Sequence, residues 1–147
     1  NWDFNTAKTL AESNLTANGA DAKGDVFILA PNDGTARAIA DAFSADADVS
    51  SYFVTGQDAE KASVQYIIDG KQSMTVFKDV RTLAADAVAA ANAFLAGQTP
   101  EKTTTYNNGK LDVPAKPSAI VTVTKDNVKA ALIDSGYYQA GDFQNLQ

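Results

Sequence analysis

Apolar residues recur at helical spacing through Phe4, Ala7, Leu10, Ala11 and Leu15, and the stripe stops at the Asn18-Gly19 pair, so the chain is predicted to begin with a helix. Val26 to Ala30 is a short continuous apolar run between Gly24-Asp25 and Pro31-Asn32, the pattern of a strand buried on both faces of a parallel sheet. Helical spacing returns at Ala36, Ile39, Ala40 and Phe43, and Tyr52 to Thr55 reads as the next strand, ended by Gly56. Ala59 to Asp69 then reads as a helix closed by Gly70, and Ser73 to Phe77 as a third strand. Strands alternating with helices at this spacing predict an α/β fold, a Rossmann-like parallel sheet flanked by helices.

From Val80 to Leu95 the pattern is a long Ala-rich helix with Leu83, Ala87, Ala90, Ala91 and Phe94 on one face, ending at Gly97 with Pro100 beyond. The texture then changes. Thr103 to Tyr106, the Asn107-Asn108-Gly109 turn, Val113-Pro114 and Lys116-Pro117 suggest extended pieces and turns. Ile120 to Val123 reads as a strand, and Asn127 to Asp134 as a last helix capped by Thr124 or Asp126 and ended by Gly136.

Composition narrows the chemistry. A net charge of −6 and the absence of any Lys/Arg cluster argue against a nucleic-acid partner, which is gripped mainly through its phosphates. The apolar runs fall short of the roughly 20 residues a membrane span requires. No cysteine means no disulfide, thiolate nucleophile or Cys-type zinc site, and no histidine removes the usual general base and imidazole ligand. No metal or cofactor is expected. The chain opens at Asn1 without a leader, so any secretion signal is expected to have been removed or to lie outside it.

In open parallel sheets the ligand crevice lies beyond the carboxyl ends of the strands. The three strands predicted here end at Asn32-Asp33, Gln57-Asp58 and Lys78-Asp79. That set mixes donors and acceptors, which suits a sugar hydroxyl because it both donates and accepts. Trp2, the single tryptophan, offers an indole face that can stack on a pyranose. A simpler reading stands beside this one: Asp33 and Asp58 cap the following helices, Lys78 is a solvated rim charge and Trp2 is a partly buried core residue.

Other motifs fail. Gly19 and Gly24 have the spacing of a phosphate loop but lack the following Lys-Ser/Thr and precede a strand. Asp46, Asp48 and Ser50 imitate a calcium loop, yet Ser51 and Gln57 occupy the positions of its glycine and closing acid, so Asp46 to Ser51 reads as a solvated turn. Asn14-Leu15-Thr16 fits a glycosylation acceptor inside a predicted helix, and Tyr137-Tyr138 reads as packing.

Taken in order, Pro31-Asn32-Asp33-Gly34, Thr55-Gly56-Gln57-Asp58-Ala59-Glu60, Met74-Thr75-Val76-Phe77-Lys78-Asp79 and Asn107-Asn108-Gly109 with Val113-Pro114 span nearly the whole chain. Together they resemble the periplasmic sugar-binding proteins of ABC importers, the xylose-binding and ChvE-like multiple-monosaccharide-binding family of type I periplasmic binding proteins. The resemblance implies two Rossmann-like lobes that close on one monosaccharide and pass it to ABC permease subunits in the membrane. It implies Trp2, Asn32, Asp58 and Lys78 as sugar-binding residues, with Asp33 and Gln57 supporting them from behind.

Since the family chain is longer, the resemblance implies a carboxyl-terminal portion whose amino-terminal lobe is missing. Residues 1–78 would be part of the sugar-binding lobe, 79–107 a crossover with a helix that packs on the missing lobe, and 108–147 the return segment. The implied location is the periplasm, or the cell exterior with a lipid anchor in a Gram-positive bacterium. The expected function is monosaccharide binding for uptake. The alternatives are a sugar-sensing protein that docks on a chemoreceptor or sensor kinase, and a glycoside-processing enzyme using a carboxylate pair such as Asp33 with Asp58.

Overall fold

The structure is a computed structural model in which residues 2–146 are described. The described residues fall into two compact units, one holding 2–77 and 121–146, the other Lys78–Ile120.

The first unit opens with α1 (Phe4–Ala17), started by Asp3, whose carboxylate accepts a bond from the Thr6 amide at 2.6 Å. β1 (Asp25–Ile28) follows, then α2 (Asp33–Ala45) and β2 (Ser51–Val54). β1 and β2 are parallel, with Val26 opposite Tyr52 and Phe27 opposite Phe53. Joining parallel neighbours requires a crossover, and α2 is that crossover.

After β2 come α3 (Lys61–Ile68) and β3 (Thr75–Lys78). A parallel bridge between Gln57 and Val76 links the segment after β2 to β3. β3 in turn pairs with β6 (Ile120–Val123).

Three clusters form the core of this unit, one of them Ala30, Ala36, Ala40 and Val54. Ala11 and Leu15 of α1 and Phe43 of α2 pack with Val26 and Ile28 of β1. Val64, Ile67 and Ile68 of α3 pack with Phe77, Val123, Val128, Leu132 and Phe143. Fully burying one such aliphatic side chain contributes about 1.5–3 kcal/mol. Tyr137 and Tyr138 belong to the packing, as expected: the Tyr137 ring meets Phe77 edge-on at 4.6 Å and Tyr138 meets Phe143 at 5.5 Å.

Three expectations need correction. The Val26 to Ala30 run is not buried on both faces, for Phe27 and Leu29 are 80% and 90% exposed. α1 and α2 share one cluster with Val26 and Ile28 and so cover the same side of β1, leaving Phe27 against Phe53 on the other side. The last helix is a π-helical turn, Lys129–Ile133, in which the Asp134 amide reaches back five residues to the Lys129 carbonyl. Neither Thr124 nor Asp126 caps it; Asn127 instead turns back to accept a bond from the Thr124 amide. Asp46 to Ser51 is anchored as well as solvated, because the buried Lys23 ammonium lies 2.8 Å from Asp46 and 3.7 Å from Asp48.

The second unit consists of α4 (Val80–Leu95) and an antiparallel hairpin, β4 (Thr104–Asn107) with β5 (Asp112–Ala115). Asn107 and Asn108 build its turn: the Asn108 Oδ1 accepts from the amides of Lys110 and Leu111, and Gly109 takes φ +87°. Lys116 ties the unit together by pairing with Asp86 at 2.9 Å and Glu101 at 2.7 Å. Leu83, Phe94 and Val113 line a groove of about 780 Å³ between helix and hairpin.

Candidate functional site

The carboxyl ends of β1 and β2 are knitted to β3 by backbone bonds. The Asp33 amide donates to the Gln57 carbonyl at 2.9 Å, the Asp58 amide to the Val76 carbonyl at 2.9 Å, and the Val76 amide to the Gly56 carbonyl at 3.0 Å. Asn32-Asp33 and Gln57-Asp58 are therefore brought together at adjacent strand ends.

Asn32, not Asp33, caps α2. Its Oδ1 accepts from the Thr35 amide at 3.2 Å and the Thr35 hydroxyl at 2.6 Å. The side-chain NH2 remains as donor, so capping and ligand binding use opposite ends of one amide.

Asp33 lies one residue further on and is fully buried. Its Oδ1 accepts from the Thr75 hydroxyl at 2.8 Å and Gln72 Nε2 at 3.0 Å, while Oδ2 accepts from the Glu60 amide at 2.8 Å. Burial pushes its carboxyl above the ordinary carboxylate range, against the pull of those three bonds. With both oxygens committed and no exposure, Asp33 does not present a carboxylate to a substrate. The proposed Asp33/Asp58 acid-base pair loses one of its members.

Asp58 stands on an unusual turn: its φ is +101° and that of Ala59 is +48°. Non-glycine residues rarely adopt such values without support from their surroundings. The support is here. Three consecutive amides are anchored, Asp58 to the Val76 carbonyl, Ala59 to the Thr75 hydroxyl at 3.1 Å, and Glu60 to Asp33. The Ala59 carbonyl accepts from the Tyr138 hydroxyl at 2.9 Å. Ala59 is buried while the Asp58 side chain is exposed, and Asp58 does not cap α3, which begins after Glu60.

Gln57 is half-buried between Asp33 and Val76 through its backbone. Lys78 closes β3 and is half-buried, while the next residue, Asp79, caps α4. The Arg81 guanidinium hydrogen-bonded to Asp79 holds that carboxyl below its ordinary value. Trp2 precedes the α1 cap and is 72% exposed, so its indole is not a core residue. The residues that sequence reasoning missed are Thr75 and Gln72. Thr75 had a legible signal: a hydroxyl at a core-facing position of a strand, two residues before Phe77, requires a buried partner.

An α/β unit of parallel strands and crossover helices, with polar residues at the strand ends, is a lobe of the Rossmann-like kind. The chain belongs to the periplasmic binding protein family, whose periplasmic binding protein domain matches residues 1–99. It is 39% identical over 145 residues to the multiple sugar-binding periplasmic receptor ChvE of Rhizobium radiobacter, covering 95% of this chain and 41% of that protein. It is 36% identical over 141 residues to the D-xylose-binding periplasmic protein of Escherichia coli, covering 96% and 42%.

Among solved structures, a carbohydrate transporter solute-binding protein from Chloroflexus aurantiacus, in complex with D-glucose, is 76% identical. It superposes with a TM-score of 0.93 over 100% of this chain and 43% of its own. An ABC transporter solute-binding protein from Clostridium phytofermentans with bound β-D-glucose is 35% identical, with a TM-score of 0.83 over 99% and 45%. The chain thus spans less than half the length of these relatives, and its fold is that of a type I periplasmic-binding-protein lobe. Among the described residues no helix is long and apolar enough to cross a membrane.

Proposed function

We propose that the chain is the carboxyl-terminal part of the solute-binding component of an ABC importer and that it contributes half of a monosaccharide site. The observation that carries this reading is the 76% identity, over the whole chain, to a carbohydrate transporter solute-binding protein that holds D-glucose. The geometry adds support: an exposed Asp58 carboxylate on a turn fixed by buried bonds, beside an Asn32 amide whose NH2 remains as donor.

In this proposal Trp2 stacks on the apolar face of a pyranose, and Asn32 and Lys78 donate to its hydroxyls. Asp58 accepts from them, while Asp33 and Gln57 hold the strand ends in place. Hydrogen bonds to a charged group stabilise a complex by about 1.5–3 kcal/mol each. Residues 79–107 cross to an amino-terminal lobe and 108–147 return from it. Closure of the two lobes on the sugar is the state that permease subunits recognise. The location is the periplasm, or the outer face of the membrane with a lipid anchor, and the role is binding without turnover.

The test is a tryptophan-fluorescence titration of the full-length polypeptide, run beside its Trp2→Ala variant, with D-glucose, D-xylose, D-galactose and L-arabinose, and with a non-sugar polyol as control. A saturating response to one or two pyranoses that is lost in Trp2→Ala supports the proposal. A flat response to all four sugars, with calorimetry equally silent, rejects it.

A further inference from the structure

We propose that Thr75 is a positioning residue for the sugar site: its hydroxyl, anchored on the buried Asp33 carboxylate, holds the Asp58–Ala59 turn in its left-handed conformation and so fixes where the Asp58 carboxylate points. The inference rests on the reading that Asp58 binds the sugar.

Thr75 is fully buried and cannot itself reach a ligand. A hydroxyl has one hydrogen and two lone pairs, and both functions are used here. The hydrogen goes to Asp33 Oδ1 at 2.8 Å, and a lone pair receives the Ala59 amide at 3.1 Å. Oδ1 also accepts from Gln72 Nε2 and Oδ2 from the Glu60 amide, both obligate donors, so Asp33 acts as an acceptor and sets the direction of this relay, leaving the Thr75 oxygen free to accept from Ala59. Ala59 is itself fully buried, so without the hydroxyl its amide would have no water to turn to.

The same carboxylate takes the Glu60 amide on its other oxygen at 2.8 Å, so the strained pair is clamped on its carboxyl side by Asp33 directly and in the middle by Thr75. Left-handed φ values persist at non-glycine residues where the surroundings over-determine them, and such positions concentrate at ligand clamps. Of the two strained residues, Ala59 is buried and Asp58 exposed, so the turn delivers one side chain outward and this device determines its direction.

The experiment is a double-mutant cycle in the full-length polypeptide, with Kd measured by calorimetry, for whichever of D-glucose, D-xylose, D-galactose and L-arabinose the parent binds, in the parent, Thr75→Val, Asp58→Ala and the double variant. Thr75→Val is expected to raise Kd about tenfold, the scale of one hydrogen bond lost. In the Asp58→Ala background the same change is expected to alter Kd by no more than about twofold, the tolerance of independent sites. Thr75→Ser, which keeps the hydroxyl, is expected to stay within about twofold of the parent. If valine prevents folding, Thr75→Ala, which removes the hydroxyl without adding bulk, takes its place in the cycle. An unchanged Kd in Thr75→Val, or an equal loss with and without Asp58, overturns the inference and leaves the sugar site standing. A parent that binds none of the four sugars removes the site reading and the inference with it, and an Asp58→Ala variant that binds as tightly as the parent removes Asp58 from the site and the inference with it.

Discussion

Gly56 and Asp33 are packed so closely that only glycine fits: a Cβ added to Gly56 would collide with Asp33 Oδ1 and Gln72 Nε2 and stand 3.3 Å from the Met74 carbonyl. These atoms bond to one another through Gln72 Nε2, which donates to both Asp33 Oδ1 and the Met74 carbonyl, and neither a buried carboxylate nor backbone can yield cheaply. Gly56→Ala is therefore expected to destabilise the fold by about 1–3 kcal/mol, the usual cost of overpacking. Thermal melts check this. A melting temperature equal to that of the parent would mean that the network relaxes around a methyl group at no cost.

Asn32 allows stability and binding to be separated. Asn32→Ala removes the cap on α2 and is expected to cost about 1 kcal/mol of stability. Asn32→Asp keeps an oxygen for the Thr35 amide, and a carboxylate at a helix N-terminus is favourable, so stability should hold. The same change replaces the NH2 donor by an acceptor, so sugar affinity should fall by about tenfold. Parallel melts and titrations of the two variants decide it; a tightly binding Asn32→Asp would remove Asn32 from the site.

The φ of +101° at Asp58 sets folding against function. Glycine occupies that conformation without steric cost, so Asp58→Gly is expected to gain about 1 kcal/mol of stability while weakening sugar binding. Chemical denaturation with a matched titration measures both. A less stable Asp58→Gly would mean that the carboxylate contributes more to the fold than its backbone strain costs.

Much of this was legible in the sequence. The bounds of α4 and β6 were read as they stand, because a long Ala-rich stripe and a bounded β-branched run leave little ambiguity of period. The exposed face of β1 was not legible: an apolar run reports what a strand is able to bury, and only tertiary structure decides which side a helix covers. At the strand ends, sequence reasoning weighed Asp33 and Asp58 as caps, whereas Asn32 caps and Asp33 is buried. Adjacent polar residues compete for one cap, and which one wins depends on a partner 42 residues away, Thr75. Long-range hydrogen bonds of that kind leave no local spacing to find.

The Lys23–Asp46 pair sets a pH dependence whose sign follows from its geometry. Lys23 Nζ lies 2.8 Å from Asp46 Oδ2, and that bond chiefly holds the Asp46 carboxyl below its ordinary 3.8 and the Lys23 ammonium above its ordinary 10.5. A lowered carboxyl contributes stability that is complete above pH 3.8 and is lost as pH falls through its folded value. A raised ammonium contributes stability that is complete below pH 10.5 and is lost as pH rises through its folded value. Asp33 works in the opposite sense, since its raised carboxyl makes ionisation costly as pH climbs from 3.8. The effect of the pair is therefore read as a difference between two proteins. The stability gap between the parent and Asp46→Asn should be level between those limits and shrink in both acid and strong base. Melts of the two proteins across that range check it, and a gap that stays constant into acid would mean that Lys23 and Asp46 are paired only weakly in solution.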